Sequence, residues 1–147
     1  RKEWVMPGTM INEVLYILKD KIRKDIDIKL NCDNGQPVYC DSEYIRLCIM
    51  NLLMNAVQAI EDSGEIAISC GKDNGFSFIS VNDTGAGISD EDKAKVFEPY
   101  YSTKKFGIGL GLAISKRFVE EHGGSIVIES EIGKGTTMQL RIPDHEA

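Results

Sequence analysis

Apolar residues recur along the chain with two periods. Ile11, Val14, Leu15, Leu18 and Ile22 fall at helical spacing and predict an amphipathic helix over 9–24. "DIDIKLN" (25–31) alternates apolar and polar and predicts a strand, and "QPVYC" (36–40) predicts a second, short one. The longest helix is expected over 41–62, with Asp41 or Ser42 as N-cap and Gly64 just past its end. "EIAISC" (65–70) and "FSFISVND" (76–83) read as a hairpin joined through "KDNG", whose Asn74-Gly75 pair is a turn signal. A loop and a short helix follow over 84–103, then a helix over 110–121 closed by Gly123-Gly124. "SIVIES" (125–130) and "TMQLRI" (137–142) end the pattern as strands around the turn "EIGKG", before a polar tail over 143–147. This order predicts an α+β fold, a two-layer α/β sandwich with three helices on one face of a mixed sheet. The length, 147 residues, fits a single domain over 1–147.

The helix at 47–60, "LCIMNLLMNAVQAI", departs from ordinary amphipathicity. Its polar residues are the amides Asn51, Asn55 and Gln58, on one face, with Asp62 extending the line. The rest of the window is apolar, so the helix is expected to be buried nearly all round. A solvated face would be wide and charged; this narrow, uncharged stripe suits a site. The alternative is that the amides simply hydrogen-bond inside the core. An amide oxygen is a hard, neutral ligand of the kind Mg²⁺ accepts when phosphate oxygens and water complete its shell.

Two glycine-containing segments add candidate chemistry. In "VNDTGAGIS" (81–89), Asp83 ends a strand and Gly85 and Gly87 allow a sharp turn. A buried carboxylate there needs a donor, which an adenine amine could supply; an Asx-turn, with Asp83 capping its own loop, is the alternative. In "KKFGIGLGLAISKRFVEEHGG" (104–124), Gly107, Gly109 and Gly111 alternate directly before a helix. No lysine follows in P-loop position, and no strand precedes as a dinucleotide fingerprint requires. What remains is close backbone approach to an anion at a helix N-terminus, or a flexible loop with no ligand.

Charge and cysteines narrow the classes. The net charge is −6 with a pI near 4.9, a balance that does not attract nucleic acid or acidic membranes. A polyanionic ligand would need local help from lysines, backbone dipoles or a metal. No stretch approaches a membrane span and no signal peptide is visible, so the domain is expected in the cytoplasm without membrane contact of its own. Cys32, Cys40, Cys48 and Cys70 form no C-x-x-C and are expected as reduced thiols. Because the first residue is Arg1, the chain is expected to be a piece of a longer protein.

N-x-x-x-N-A on a helix, D-x-G-x-G after a strand and G-x-G-x-G before a helix stand in one order. From about 5 to 142 the chain resembles the catalytic, ATP-binding domain of two-component sensor histidine kinases. Their superfamily includes gyrase, the heat-shock 90 chaperones and the mismatch-repair MutL proteins, and its Bergerat-type fold is the sandwich expected above. "NLLMNAVQAI" is similar to the N box, "NDTGAGI" to the G1 box and "VFEPYYSTK" to the F box. "GIGLGLAISKRFVEEHGG" is similar to the G2 box and "GKGTTMQL" to the G3 element.

The resemblance implies ATP and Mg²⁺ as cofactors. It implies Asn55 as the main metal ligand with Asn51 beside it, and Asn51, Asn55 and Lys104 as the catalytic group. Asp83 would accept from the adenine amine, with Gly87 and Thr136 near the base. Gln58, Gly85, Ile88, Thr103, Ile108, Leu110 and Leu112 would line the rest of the nucleotide site. Gly107, Gly109 and Gly111 would hinge a lid and present N–H groups to the phosphates, Lys104 would reach them, and Phe97 would anchor the lid. The implied activity is transfer of the γ-phosphoryl to a histidine on a separate dimerisation domain of the same protein, with a response regulator downstream. An anti-sigma-type serine kinase and a nucleotide-gated interaction module without chemistry are the alternatives. The phosphoacceptor box itself is absent, and His122 and His145 lack its flanking residues. Gln58 stands where many relatives carry lysine, though a subgroup resembling nitrogen-sensing kinases has "NAxQA" there. Asn51 replaces the glutamate of ATPase relatives, and an amide cannot act as a general base.

Overall fold

The computed structural model describes residues 1–32, 36–99 and 111–144. The elements are β1 (Glu3–Val5), α1 (Pro7–Leu18), β2 (Ile26–Cys32), β3 (Val38–Cys40) and α2 (Ser42–Ala59). Then come β4 (Gly64–Asp73), β5 (Phe76–Asp83), α3 (Asp90–Lys93), α4 (Gly111–Glu121), β6 (Ser125–Glu131) and β7 (Gly135–Pro143). A five-stranded sheet runs β2-β4-β5-β7-β6, with β2 parallel to β4 and the other pairings antiparallel. The one parallel pairing follows from the crossover through α2, since parallel neighbours cannot be joined by a tight turn.

Alternation sorts the sheet into two faces. Ile66, Ile68 and Cys70 of β4, Ile79 and Val81 of β5, and Met138, Leu140 and Ile142 of β7 are buried in the core with α1, α2 and α4. The same phase carries Asp83 and Thr136 onto the buried face, where they pair directly across β5 and β7. Two residues per repeat, and not any polar preference, therefore bury Asp83.

Helix ends have local causes. Asp41 caps α2 by accepting from the backbone N–H of Glu43 at 3.2 Å and of Tyr44 at 3.5 Å. The Asn74-Gly75 turn has φ of 47° and 81°, both positive as a two-residue type I′ hairpin requires. Gly123, at φ 78°, and Gly124 close α4; the N–H of Gly124 reaches the Val119 carbonyl at 3.0 Å. His122 ties that end to the α2 cap. Its Nε2 accepts from the Asp41 backbone N–H at 2.9 Å, so its Nδ1 donates to the Phe118 carbonyl at 2.7 Å.

Several expectations are corrected. α1 stops at Leu18 rather than residue 24, the chain turning through Lys19–Ile22 with Ile22 still tucked against the core. α2 ends at Ala59 because Ile60 adopts an extended conformation and enters the core. Arg23 meets the Ile60 carbonyl at 2.5 Å. Gly64 therefore opens β4 instead of capping α2, and Asp62 lies off the amide stripe. Burial of α2 is not all round, since Leu47 is 48% exposed. β1 was not anticipated and pairs with β3 in a separate two-stranded ribbon. The expectation of four reduced thiols also fails: Cys32 and Cys70 face each other in register across β2 and β4 and form a disulfide, while Cys40 and Cys48 are free and buried.

Candidate nucleotide site

The amide stripe of α2 connects two loop systems. Near its middle, the Asn51 amide nitrogen donates to the Gly111 carbonyl at 3.1 Å and to the Ser115 hydroxyl at 2.9 Å. The first turn of α4, where the G-x-G-x-G run ends, is thus held against Asn51. Asn55 is half-buried one turn further along α2, and Gln58 is exposed at its end. At that end the Ala59 carbonyl accepts from the Ala86 backbone N–H at 3.0 Å. Gly85 packs so closely there that a Cβ would lie 2.5 Å from the same oxygen.

The Asp83 loop is fixed on every side. Asp83 is 6% exposed, and its Oδ1 accepts from the Gly85 N–H at 2.8 Å, so the Asx-turn is present. A carboxylate offers about four acceptor positions, so this turn is compatible with a further donor. Gly87 has φ 81°, and a Cβ there would collide with the Glu131 carbonyl. Gly135, at φ 129°, passes equally close to the Asp83 carbonyl. The Gly133 N–H donates to Ala86 O at 2.8 Å, which joins the β6–β7 turn to the Asp83 loop.

Ser130, on the buried phase of β6, is the hub of this corner. Its Oγ accepts from the Ile88 N–H at 2.7 Å and lies 2.7 Å from the Thr136 hydroxyl and 3.0 Å from the Gly135 carbonyl. Phe97 is half-buried with the Lys116 ammonium 5.2 Å from its ring centroid, and Leu112 is half-buried at the start of α4. Thr103, Lys104, Gly107, Ile108, Gly109 and Leu110 lie outside the described residues, as does His145. Ser115, Ser130 and Lys116 were missed as site-supporting residues. Ser130 continues the alternation of Ile126 and Ile128, and Ser115 lies one turn from Gly111 and from Val119; a polar residue on an apolar phase was the available signal.

Burial sets the thiol chemistry beside this seam. Cys48 donates weakly to the Ser115 carbonyl at 3.7 Å, and burial pushes its pKa up to about 11. Cys40 is pushed up to about 12, by burial first and then by the adjacent Asp41 carboxylate. Neither is a nucleophile near neutral pH. Among the described residues no three His, Cys, Asp or Glu side chains converge on a metal position. The donor set that α2 does offer, amide oxygens, is one a hard divalent ion accepts together with phosphate oxygens.

The site thus combines a buried carboxylate over tightly packed glycines at the C-terminal end of α2 with the first turn of α4 held by an asparagine near the middle of α2. The family model of histidine kinase-, DNA gyrase B- and HSP90-like ATPases matches residues 40–146, and the chain belongs to that family. Within it, the similarity is to sensor histidine kinases. The catalytic domain of the histidine kinase ThkA superposes with a TM-score of 0.89 at 33% identity, over 98% of this chain and 96% of that one. The sensor histidine kinase ZraS of Escherichia coli (strain K12) is 35% identical over 92% of this chain and 30% of its own length. Sporulation kinase E of Bacillus subtilis (strain 168) is 37% identical over 76% and 15% respectively. The chain thus spans under a third of these two relatives. Another solved structure, ThkA in complex with the response regulator TrrA, matches at a TM-score of 0.83 and 31% identity, over 98% of this chain and 42% of that one. These likenesses bear out the α+β Bergerat-type fold and the histidine-kinase catalytic-domain class. Among the described residues no helix is long and apolar enough to cross a membrane.

Proposed function

We propose that the chain binds Mg-ATP along α2 and donates the γ-phosphoryl to a histidine on a separate dimerisation domain of its parent protein. The observation that carries this reading is the order of contacts on α2. Asn51 meets the α4 N-terminus, Asn55 follows, and Ala59 meets the Asp83 loop. Eight residues of helix span about 12 Å, room to lay a nucleoside triphosphate lengthwise. The phosphates would point to Gly111 and the base to Asp83.

In this reading Asp83 accepts from the adenine amine, and Gly85, Gly87, Ile88 and Thr136 shape the base end. Asn55, with Asn51 beside it, would hold Mg²⁺, which when bound would offset phosphate charge. Gln58, Phe97 and Leu112 flank the site. The resemblance assigns Thr103, Lys104, Gly107, Ile108, Gly109, Leu110 and Gly111 to the phosphates. Positioning and charge neutralisation then supply the catalysis. An amide at residue 51 cannot activate water, which favours transfer over hydrolysis. The product passes to a response regulator, and the domain works in the cytoplasm.

Incubation with Mg-ATP labelled at the γ position, together with the parent's histidine-bearing hairpin, tests this. Acid-labile, alkali-stable label on the hairpin is expected. Acid-stable label on a serine, or no transfer, would overturn the assignment.

A further inference from the structure

Asn51 is joined to α4 through both protons of its amide. The Gly111 carbonyl can only accept, so the group facing it must be the NH₂, and the amide cannot be flipped without setting oxygen against oxygen. The second N–H goes to Ser115, whose side chain is fully buried. Ser115 lies one helical turn after Gly111, so both acceptors share the face of α4 that meets α2. With both protons engaged, the planar group is locked and its Oδ1 has a single direction. Gly111 packs on this amide with no side chain between, where a Cβ would lie 3.3 Å from Oδ1 and Cγ. Asn51 is half-buried, and its Oδ1 is not among the described buried side-chain atoms left without a partner.

We infer that Ser115 is a positioning residue that locks the Asn51 amide so that its oxygen, and not its nitrogen, faces the magnesium-nucleotide site. This rests on the Mg-ATP reading above. Loss of the hydroxyl leaves one amide proton without its partner and the Gly111 carbonyl as the remaining anchor, which loosens the group about its last torsion.

The test is calorimetric binding of ATP to the 147-residue chain with and without Mg²⁺, and of AMP, for wild type, Ser115→Ala, Asn51→Ala and the double variant. Ser115→Ala is expected to cut the magnesium-dependent gain in ATP affinity about three- to tenfold, the net worth of one hydrogen bond. Metal-free ATP and AMP binding should stay within about twofold. In the Asn51→Ala background, Ser115→Ala should add nothing, since Ser115 acts only through that amide. Equal losses for ATP with magnesium, ATP without it and AMP would make Ser115 a packing residue and overturn the inference. So would an unchanged gain in Ser115→Ala, or additive effects in the double variant. A wild-type chain that binds ATP equally with and without Mg²⁺ would instead overturn the magnesium reading itself, and this inference with it. If Ser115→Ala lowers stability, Ser115→Thr, which keeps a hydroxyl at that position, must retain the metal-dependent gain and Asn51→Ala must lose it; the opposite result in either variant overturns the inference.

Discussion

Replacing Asp83 by Asn removes a charge while keeping every heavy-atom position. The turn survives this change, because an asparagine oxygen can still accept from the Gly85 N–H that now lies 2.8 Å from the carboxylate. What changes is the second polar atom, which becomes a donor. In a position only 6% exposed, that donor would face the adenine amine with no water to intervene. An unsatisfied buried donor costs about 1–3 kcal/mol, so Mg-ATP affinity is expected to fall roughly 5- to 150-fold. Folding should change little, with a melting shift of no more than about 4 °C. Calorimetric titration and a thermal melt on the same sample separate the two effects. GTP provides the complementary measurement, since guanine presents an oxygen where adenine presents its amine, and wild type should bind it more weakly by a similar factor. Wild-type ATP affinity in Asp83→Asn, or equal affinities for ATP and GTP, would reduce Asp83 to the cap of its own loop.

The other predictions concern the metal, the thiols and the isolated chain. Asn55→Ala should abolish most of the magnesium-dependent gain in ATP affinity while the chain stays folded by circular dichroism; unchanged binding would remove Asn55 from the site. Native chain treated with iodoacetamide near neutral pH should show no labelled cysteine by mass spectrometry. Reduction should expose Cys32 and Cys70, whereas Cys40 and Cys48 should react only after unfolding. Those two thiols are raised in the folded state from 9.0 to about 12 and about 11, so the native state holds its protons more tightly than the unfolded chain does. Their contribution is therefore complete below pH 9 and is lost as pH rises through 11 and 12, which a series of denaturant melts from pH 8 upward reads directly. Incubated alone with labelled Mg-ATP, the chain should not label itself; stable label on any of its residues would contradict transfer to a separate domain.

α2 gives the site its order. A helix is the stiffest short ruler in a protein, and its 3.6-residue repeat sets Asn51 and Asn55 one turn apart whatever surrounds them. The Asp83 loop is held to its C-terminal end by a backbone hydrogen bond to Ala59 and by a glycine with no room for a side chain, and the first turn of α4 is held to its middle by the Asn51 side chain. Substitution of Gly85 or Gly87 would therefore disturb packing before it disturbed any ligand.

What the sequence determined by itself was everything with a short repeat. Helical spacing marked α2 and its amide stripe, alternation marked β4, β5, β6 and β7, and Asn74-Gly75 marked the hairpin, because each signal lies within a few residues of its effect. The three glycine and asparagine motifs were legible for the same reason, and their order pointed to the family. Only the tertiary structure decided what depends on register and approach between distant segments. It paired β1 with β3 and set Cys32 opposite Cys70 across a parallel pairing that the sequence separates by 38 residues. It ended α2 at Ala59 by drawing Ile60 into the core, against a helical pattern that ran on to residue 62. It also gave two serines their partners: Ser130 meets Ile88 and Thr136, and Ser115 meets Asn51. A serine on an apolar phase marks a position without assigning it a role, which exists only once another segment brings a donor or acceptor to within about 3 Å of it.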